Sequence, residues 1–237
     1  MEYKYKTTFE CPISICEISK ASLISEASLS NLAPLVPKDI DYKSNVDLLG
    51  VAFNAAVVNK FNRNGDGMST DTAIEYTPNF VHKPTNIEHN KQKIVGHIVD
   101  AGFSDAETNK ILTSEDVKNK KNAFNIALGA VIYKSINRDF TNLVEKSLDP
   151  KDPAFQKVSA SWEVGFSNFV LAVGSDNLED AKVISDPGKI DEMKGFLKSY
   201  GGNGKTDKGE NIYRLIVGKI FPLGIAYTMN PAANVKG

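Results

Sequence analysis

Turn-forming residues cut this chain into pieces that are mostly too short for a helical bundle. Polar, Gly-rich or Pro-rich stretches at 62–67, 104–122, 149–153 and 201–209 interrupt its apolar runs, because Gly, Pro, Asn and Asp favour backbone conformations that end regular structure. The pieces between them are rich in β-branched and aromatic residues, which suit a pleated, half-buried surface. Strands are expected at 9–17, 48–58, 93–100, 123–133, 158–166, 168–173, 211–217 and 223–228. Two segments have helical periodicity instead. In 136–148, Ile136, Phe140, Leu143, Val144 and Leu148 recur on one helical face, and Asp149-Pro150 ends the run. The second expected helix covers 189–200. Many short strands with few helices predict an α+β, mainly β fold: a mixed, mostly antiparallel sheet or barrel flanked by helices, in a single domain over 1–237.

Composition narrows the function classes. Twenty-eight basic residues against 29 acidic ones leave a formal net charge of -1, too little field to attract a polyanion, so nucleic acid is not an expected partner. The apolar runs fall short of a membrane span, and the amino end lacks a secretory core, which predicts a soluble, unexported chain. Cys11 and Cys16 are the two cysteines. They support neither a disulfide framework nor a zinc site and are expected to be reduced, as in a cytoplasm. Asn62-Arg63-Asn64-Gly65-Asp66-Gly67 imitates the opening of a calcium loop, but Ala73 stands where the bidentate Glu belongs, so the segment reads as a turn between a strand and a helix. His82, His89 and His97 match no metal-binding helix, since Pro84 and Gly96 interrupt the segment. No metal or cofactor is expected.

Two segments could carry chemistry. His89 lies in the polar entrance to an apolar run, among Glu88, Asn90, Lys91 and Gln92 and just before Ile94-Val95. That location suits an imidazole that exchanges protons with a substrate, its ordinary pKa being near neutrality. The other is Val158-Ser159-Ala160-Ser161-Trp162-Glu163. The period of two puts Ser159, Ser161 and Glu163 on one face of a strand and Val158, Ala160, Trp162 and Val164 on the other. A serine hydroxyl becomes a useful nucleophile when a neutral imidazole can take its proton.

The stretch 86–98, with Asn86-Ile87, His89-Asn90 and then Val95-Gly96-His97-Ile98, resembles the histidine segment of herpesvirus assemblins, the maturation proteases of that capsid lineage. With Val57-Val58-Asn59 and the Asn64-Gly65-Asp66 turn ahead of it, it is also similar to bacteriophage prohead proteases, which share the assemblin fold. Phe221-Pro222-Leu223-Gly224-Ile225-Ala226-Tyr227-Thr228, followed by Asn230-Pro231-Ala232, resembles the closing strand of those phage enzymes. Val158-Ser159-Ala160-Ser161 resembles the small, serine-rich strand motif that the family's nucleophile opens, and the resemblance as a whole implies an assemblin-like fold, His89 as catalytic base, His97 as a second histidine that is not the base, and Ser159 as nucleophile. It further implies scaffold and capsid proteins of the prohead, and the chain itself, as substrates, with room for a homodimer, in the host cytoplasm within the assembling prohead. The chain departs from the assemblin pattern in having no histidine beyond His97 and only isolated arginines, Arg63, Arg138 and Arg214. An acidic residue would then orient the base. Glu163 is preferred because it shares the serine face, although it lies about 13 Å along the strand from Ser159. Asp100, Asp176 and Glu179 compete for that role, and the oxyanion donor falls to an unlocated backbone N–H. The missing second histidine also keeps open a catalytically inert prohead core or scaffold protein with the same fold.

Overall fold

In the computed structural model of the protein, residues 3–12, 31–149, 151–155 and 157–229 are described. The strands are β1 (Tyr5–Pro12), β2 (Leu48–Val58), β3 (Asp66–Gly67), β4 (Pro84–Ile87), β5 (Asn90–Asp105), β6 (Ile111–Leu112), β7 (Phe124–Tyr133), β8 (Ser159–Gly174), β9 (Lys182–Ile184) and β10 (Asn211–Thr228). The α-helices are α1 (Thr70–Tyr76), α2 (Ser114–Val117), α3 (Arg138–Leu148) and α4 (Pro187–Met193). All the strands belong to one sheet whose main path runs β1-β8-β10-β4-β5-β7-β2. Pairing is antiparallel except where β10 meets β3 and β4, so the expected mixed, mainly β architecture is present. The end strands β1 and β2 also pack against each other. The sheet thus curls around one core holding Phe9, Phe53, Ile98, Ile126, Trp162 and Ile216.

Local sequence explains most elements. Asn137 caps α3 by accepting a hydrogen bond from the Phe140 N–H, and Phe140 and Val144 are buried as their spacing requires. Ile136, expected inside that helix, precedes the cap and is 57% exposed. The helix expected over 189–200 is shorter: α4 starts on an Asp186 cap with Pro187 in the first turn, and two 3-10 turns follow it around Gly195. Gly96, from the Val-Gly-His motif, has a packing role: a Cβ there would lie 2.0 Å from the Val131 carbonyl oxygen across the β5–β7 ladder. Of the cysteines, Cys11 lies in β1 and Cys16 is outside the described residues.

Two pairs of expected strands turn out to be single long ones. Segments 158–166 and 168–173 join into β8, and 211–217 and 223–228 join into β10. Gly218, with φ of 77°, and the stretch around Pro222 look like strand breakers, but β10 absorbs both as register shifts against β8. The second shift decides which side chains face the core. Val164 pairs with Pro222 and Glu163 with Gly224, leaving Leu223 as the extra residue. That insertion aligns Ile225 with Trp162 on the core side and Ala226 with Ser161 on the opposite side.

The loop that imitates a calcium site is indeed the connection from β2 through β3 to α1. Its Asp66 is held by the Arg214 guanidinium at 2.5 Å and by the Thr7 hydroxyl at 2.5 Å. Arg214, 4% exposed, also stacks over the Phe166 ring at 5.0 Å. Removing one member of a buried ion pair leaves the other charged and desolvated. Arg214→Met should therefore lower unfolding free energy by about 3–5 kcal/mol; urea denaturation with an unchanged midpoint would show that the pair is not buried in solution.

Candidate active site

The Glu88-His89 dipeptide is the two-residue connection between β4 and β5, closed by the Ile87–Asn90 pair. Both residues lie in the left-handed region, Glu88 at φ 52° and His89 at φ 57°, the pattern of a type I′ hairpin turn that ordinarily selects Asn-Gly. Each such non-glycine residue costs about 1–3 kcal/mol and persists only where its surroundings hold it there. Here they do. The Glu88 N–H donates to the Tyr227 carbonyl at 3.0 Å, and the Glu88 carboxylate accepts from the Thr228 hydroxyl and the Met229 N–H, each at 2.9 Å.

The His89 ring projects from this turn onto β8. Its Nε2 lies 2.8 Å from the Ser161 hydroxyl oxygen, and its Nδ1 lies 3.5 Å from Glu163 Oε1. The second contact is a charge-pair distance without hydrogen-bond geometry. Glu163 Oε1 is also the acceptor of the Lys6 ammonium, from β1. When Nδ1 carries the ring proton, it faces the carboxylate and leaves Nε2 free to accept the serine proton. The site is enclosed: Ser161 is 1% and Glu163 8% exposed, while the imidazole remains 27% exposed.

The serine that meets His89 is Ser161, not the expected Ser159. Both are buried on the same face of β8, as the alternation requires, and they differ in position across the sheet. Ser161 is level with Ala226 of β10, whereas Ser159 is level with Thr228. The sequence did contain a signal favouring Ser161. Ser161 and Glu163 are one pleat repeat apart, roughly 6–7 Å, a span that one imidazole can bridge, whereas the roughly 13 Å from Ser159 to Glu163 is too wide.

The other expected residues are placed elsewhere. Asp176 pairs with Lys60 at 3.5 Å and Glu179 with Lys121 at 3.4 Å. Asp100 accepts the Ala101 N–H at 2.8 Å beside a surface hollow formed by Pro34, Pro37 and Asp39. His97 Nδ1 engages the Tyr133 hydroxyl at 2.8 Å, and Arg214 is taken by Asp66. Lys6 was not singled out from sequence, since nothing in a lone strand lysine marks its cross-strand partner. Beneath the site, Tyr227 is fully buried between Phe53 and Phe140, and burial pushes its phenol above the ordinary range. Among the described residues no helix is long and apolar enough to cross a membrane.

Comparison with known proteins gives no match: no family model, curated protein or solved structure is significantly similar to this chain.

The strained turn makes a testable statement about His89. His89→Gly and His89→Ala both remove the ring, so their difference reports the backbone alone. The glycine variant should be the more stable by about 1 kcal/mol. Equal thermal midpoints for the two would show that residue 89 is not left-handed in solution.

Proposed function

We propose that this protein is a serine endopeptidase of the capsid-maturation type, cleaving scaffold and capsid-associated proteins, and itself, inside an assembling bacteriophage prohead. The observation that carries the hydrolytic part is the 2.8 Å contact between the Ser161 hydroxyl and His89 Nε2, with Glu163 on the far side of the ring. The phage setting rests on the resemblance of the histidine, serine and closing-strand segments.

The contact of Ser161 with His89 supports acyl transfer through the serine. His89 takes the Ser161 proton at Nε2 as the oxygen attacks a peptide carbonyl carbon, forming a tetrahedral adduct. The protonated ring then gives that proton to the leaving amine, and the C–N bond breaks to leave an acyl-enzyme. Water, deprotonated by the same imidazole, releases the acid and restores the serine. Glu163 offsets the imidazolium charge from the Nδ1 side. In the present arrangement Lys6 shares that carboxylate, and full engagement of Nδ1 requires the ring and carboxylate to close by about half an ångström to hydrogen-bond range.

The same 3.5 Å separation and the enclosed hydroxyl favour, as a second reading, an inert prohead core protein that retains the fold. A fluorophosphonate probe separates the two. The peptidase reading expects stoichiometric labelling at Ser161 that is lost in His89→Ala; labelling independent of His89 contradicts it.

The assignment of the nucleophile is tested by comparing two alanine variants in co-expression with a scaffold substrate. Ser161→Ala should retain the fold and lower processing by at least about a thousandfold, whereas Ser159→Ala should retain processing. The reverse pattern, read by mass spectrometry of the products, would return the role to Ser159.

A further inference from the structure

We infer that Glu88 is a positioning residue whose carboxylate clamps the His89 turn to the end of β10, so that a single strand sets the placement of both His89 and Ser161. The inference rests on the reading of those two residues as a hydrolytic pair. Strand β10 has two neighbours at this level. On one side it holds β8 by antiparallel pairing, with Ala226 opposite Ser161. On the other it holds β4 by a short parallel ladder that runs from Ile225–Thr85 to Tyr227–Ile87. That ladder stops one residue before the turn. Glu88 continues the attachment beyond it: its N–H donates to the Tyr227 carbonyl, and its carboxylate oxygens accept from the Thr228 hydroxyl and the Met229 N–H.

Three hydrogen bonds therefore tie one residue to the last two residues of β10 and to Met229 just after it. Both oxygens of the carboxylate are engaged in anchoring, which separates Glu88 from Glu163, whose Oε1 lies on the imidazole side. The clamp is needed because the turn lacks local support. Glu88 and His89 take up the left-handed region without the Asn-Gly pair that adopts it most readily. Without the carboxylate the turn keeps its β4 and β5 connections but loses its side-chain link to the strand that carries the Ser161 register.

The test uses two readouts on the full chain: the rate of fluorophosphonate labelling at Ser161, and the ring-nitrogen resonances of His89 in NMR spectra. Glu88→Ala should slow labelling roughly ten- to a hundredfold, the scale of loss when a reacting group is misplaced by about an ångström. It should also move the His89 ring resonances toward those of a free imidazole. Glu88→Gln, which keeps an acceptor at the same place, should recover most of the wild-type rate and spectrum; a merely structural glutamate would not couple ring environment and rate in this way. Thr228→Val removes one donor and keeps the test decisive if Glu88→Ala does not fold, because it should shift the His89 ring in the same sense. Wild-type ring resonances and labelling rate in folded Glu88→Ala, or wild-type ring resonances in Thr228→Val, would overturn the clamp. If wild-type protein is not labelled in a His89-dependent way, the hydrolase reading fails, and the ring resonances still decide whether Glu88 positions His89.

Discussion

The long antiparallel ladder between β8 and β10 is the constraint on which the rest depends. At 18 residues β10 is the longest strand described, and β8 at 16 equals β5; their cross-strand bonds satisfy the backbone of the segment that holds Ser161 and Glu163. Side-chain direction along β8 is set from the core side. Trp162 stacks on Phe9 at 5.0 Å and packs against Phe80 at 4.5 Å, and a strand whose tryptophan is committed inward must present its even and odd residues to fixed faces. The extra residue at Leu223 brings β10 into the same parity, with Ile225 inward and Ala226 beside Ser161. A slip of one residue would place an isoleucine next to the serine and move a tyrosine out of the core.

Onto this rigid ladder the protein attaches its least regular feature, a hairpin turn with two adjacent left-handed residues. Rigid strands supply Ser161 and Glu163, and the turn supplies the imidazole that joins them. This division would suit the proposed chemistry, in which a proton carrier approaches both the nucleophile and the leaving group while the nucleophile stays fixed. The carboxylate beside the ring is also part of a charge pair with Lys6 from the strand on the other side of β8. Both flanking strands thus contribute to the site: β1 through the lysine, and β10 through its link to the turn.

The functional reading rests on the short motifs and on this geometry. The structure brings His89 to the serine-rich segment, and the serine it meets is Ser161 where the resemblance implies Ser159. The difference is informative because it concerns a single pleat repeat. A motif carried over from a resemblance specifies which face of a strand is used more readily than which residue along it.

Local chemistry in the sequence was sufficient for the strand at 48–58, for α3 with its terminating Asp149, for the turn at 62–67, and for the common face of Ser159, Ser161 and Glu163. Each depends on neighbours within a few residues: alternation, helical spacing, turn-forming side chains. Continuous β8 and β10 were not legible, because the bulges that carry β10 past Gly218 and Pro222 are stabilised by a partner strand distant in the chain. The left-handed geometry of Glu88 and His89 was hidden for the same reason, since Tyr227, Thr228 and Met229 hold the turn from outside. The spacing to Glu163 leaned toward Ser161, but tertiary structure made the choice over Ser159, because alternation defines a face and the lateral register of β8, β10 and β4 decides how far along that face an imidazole can reach.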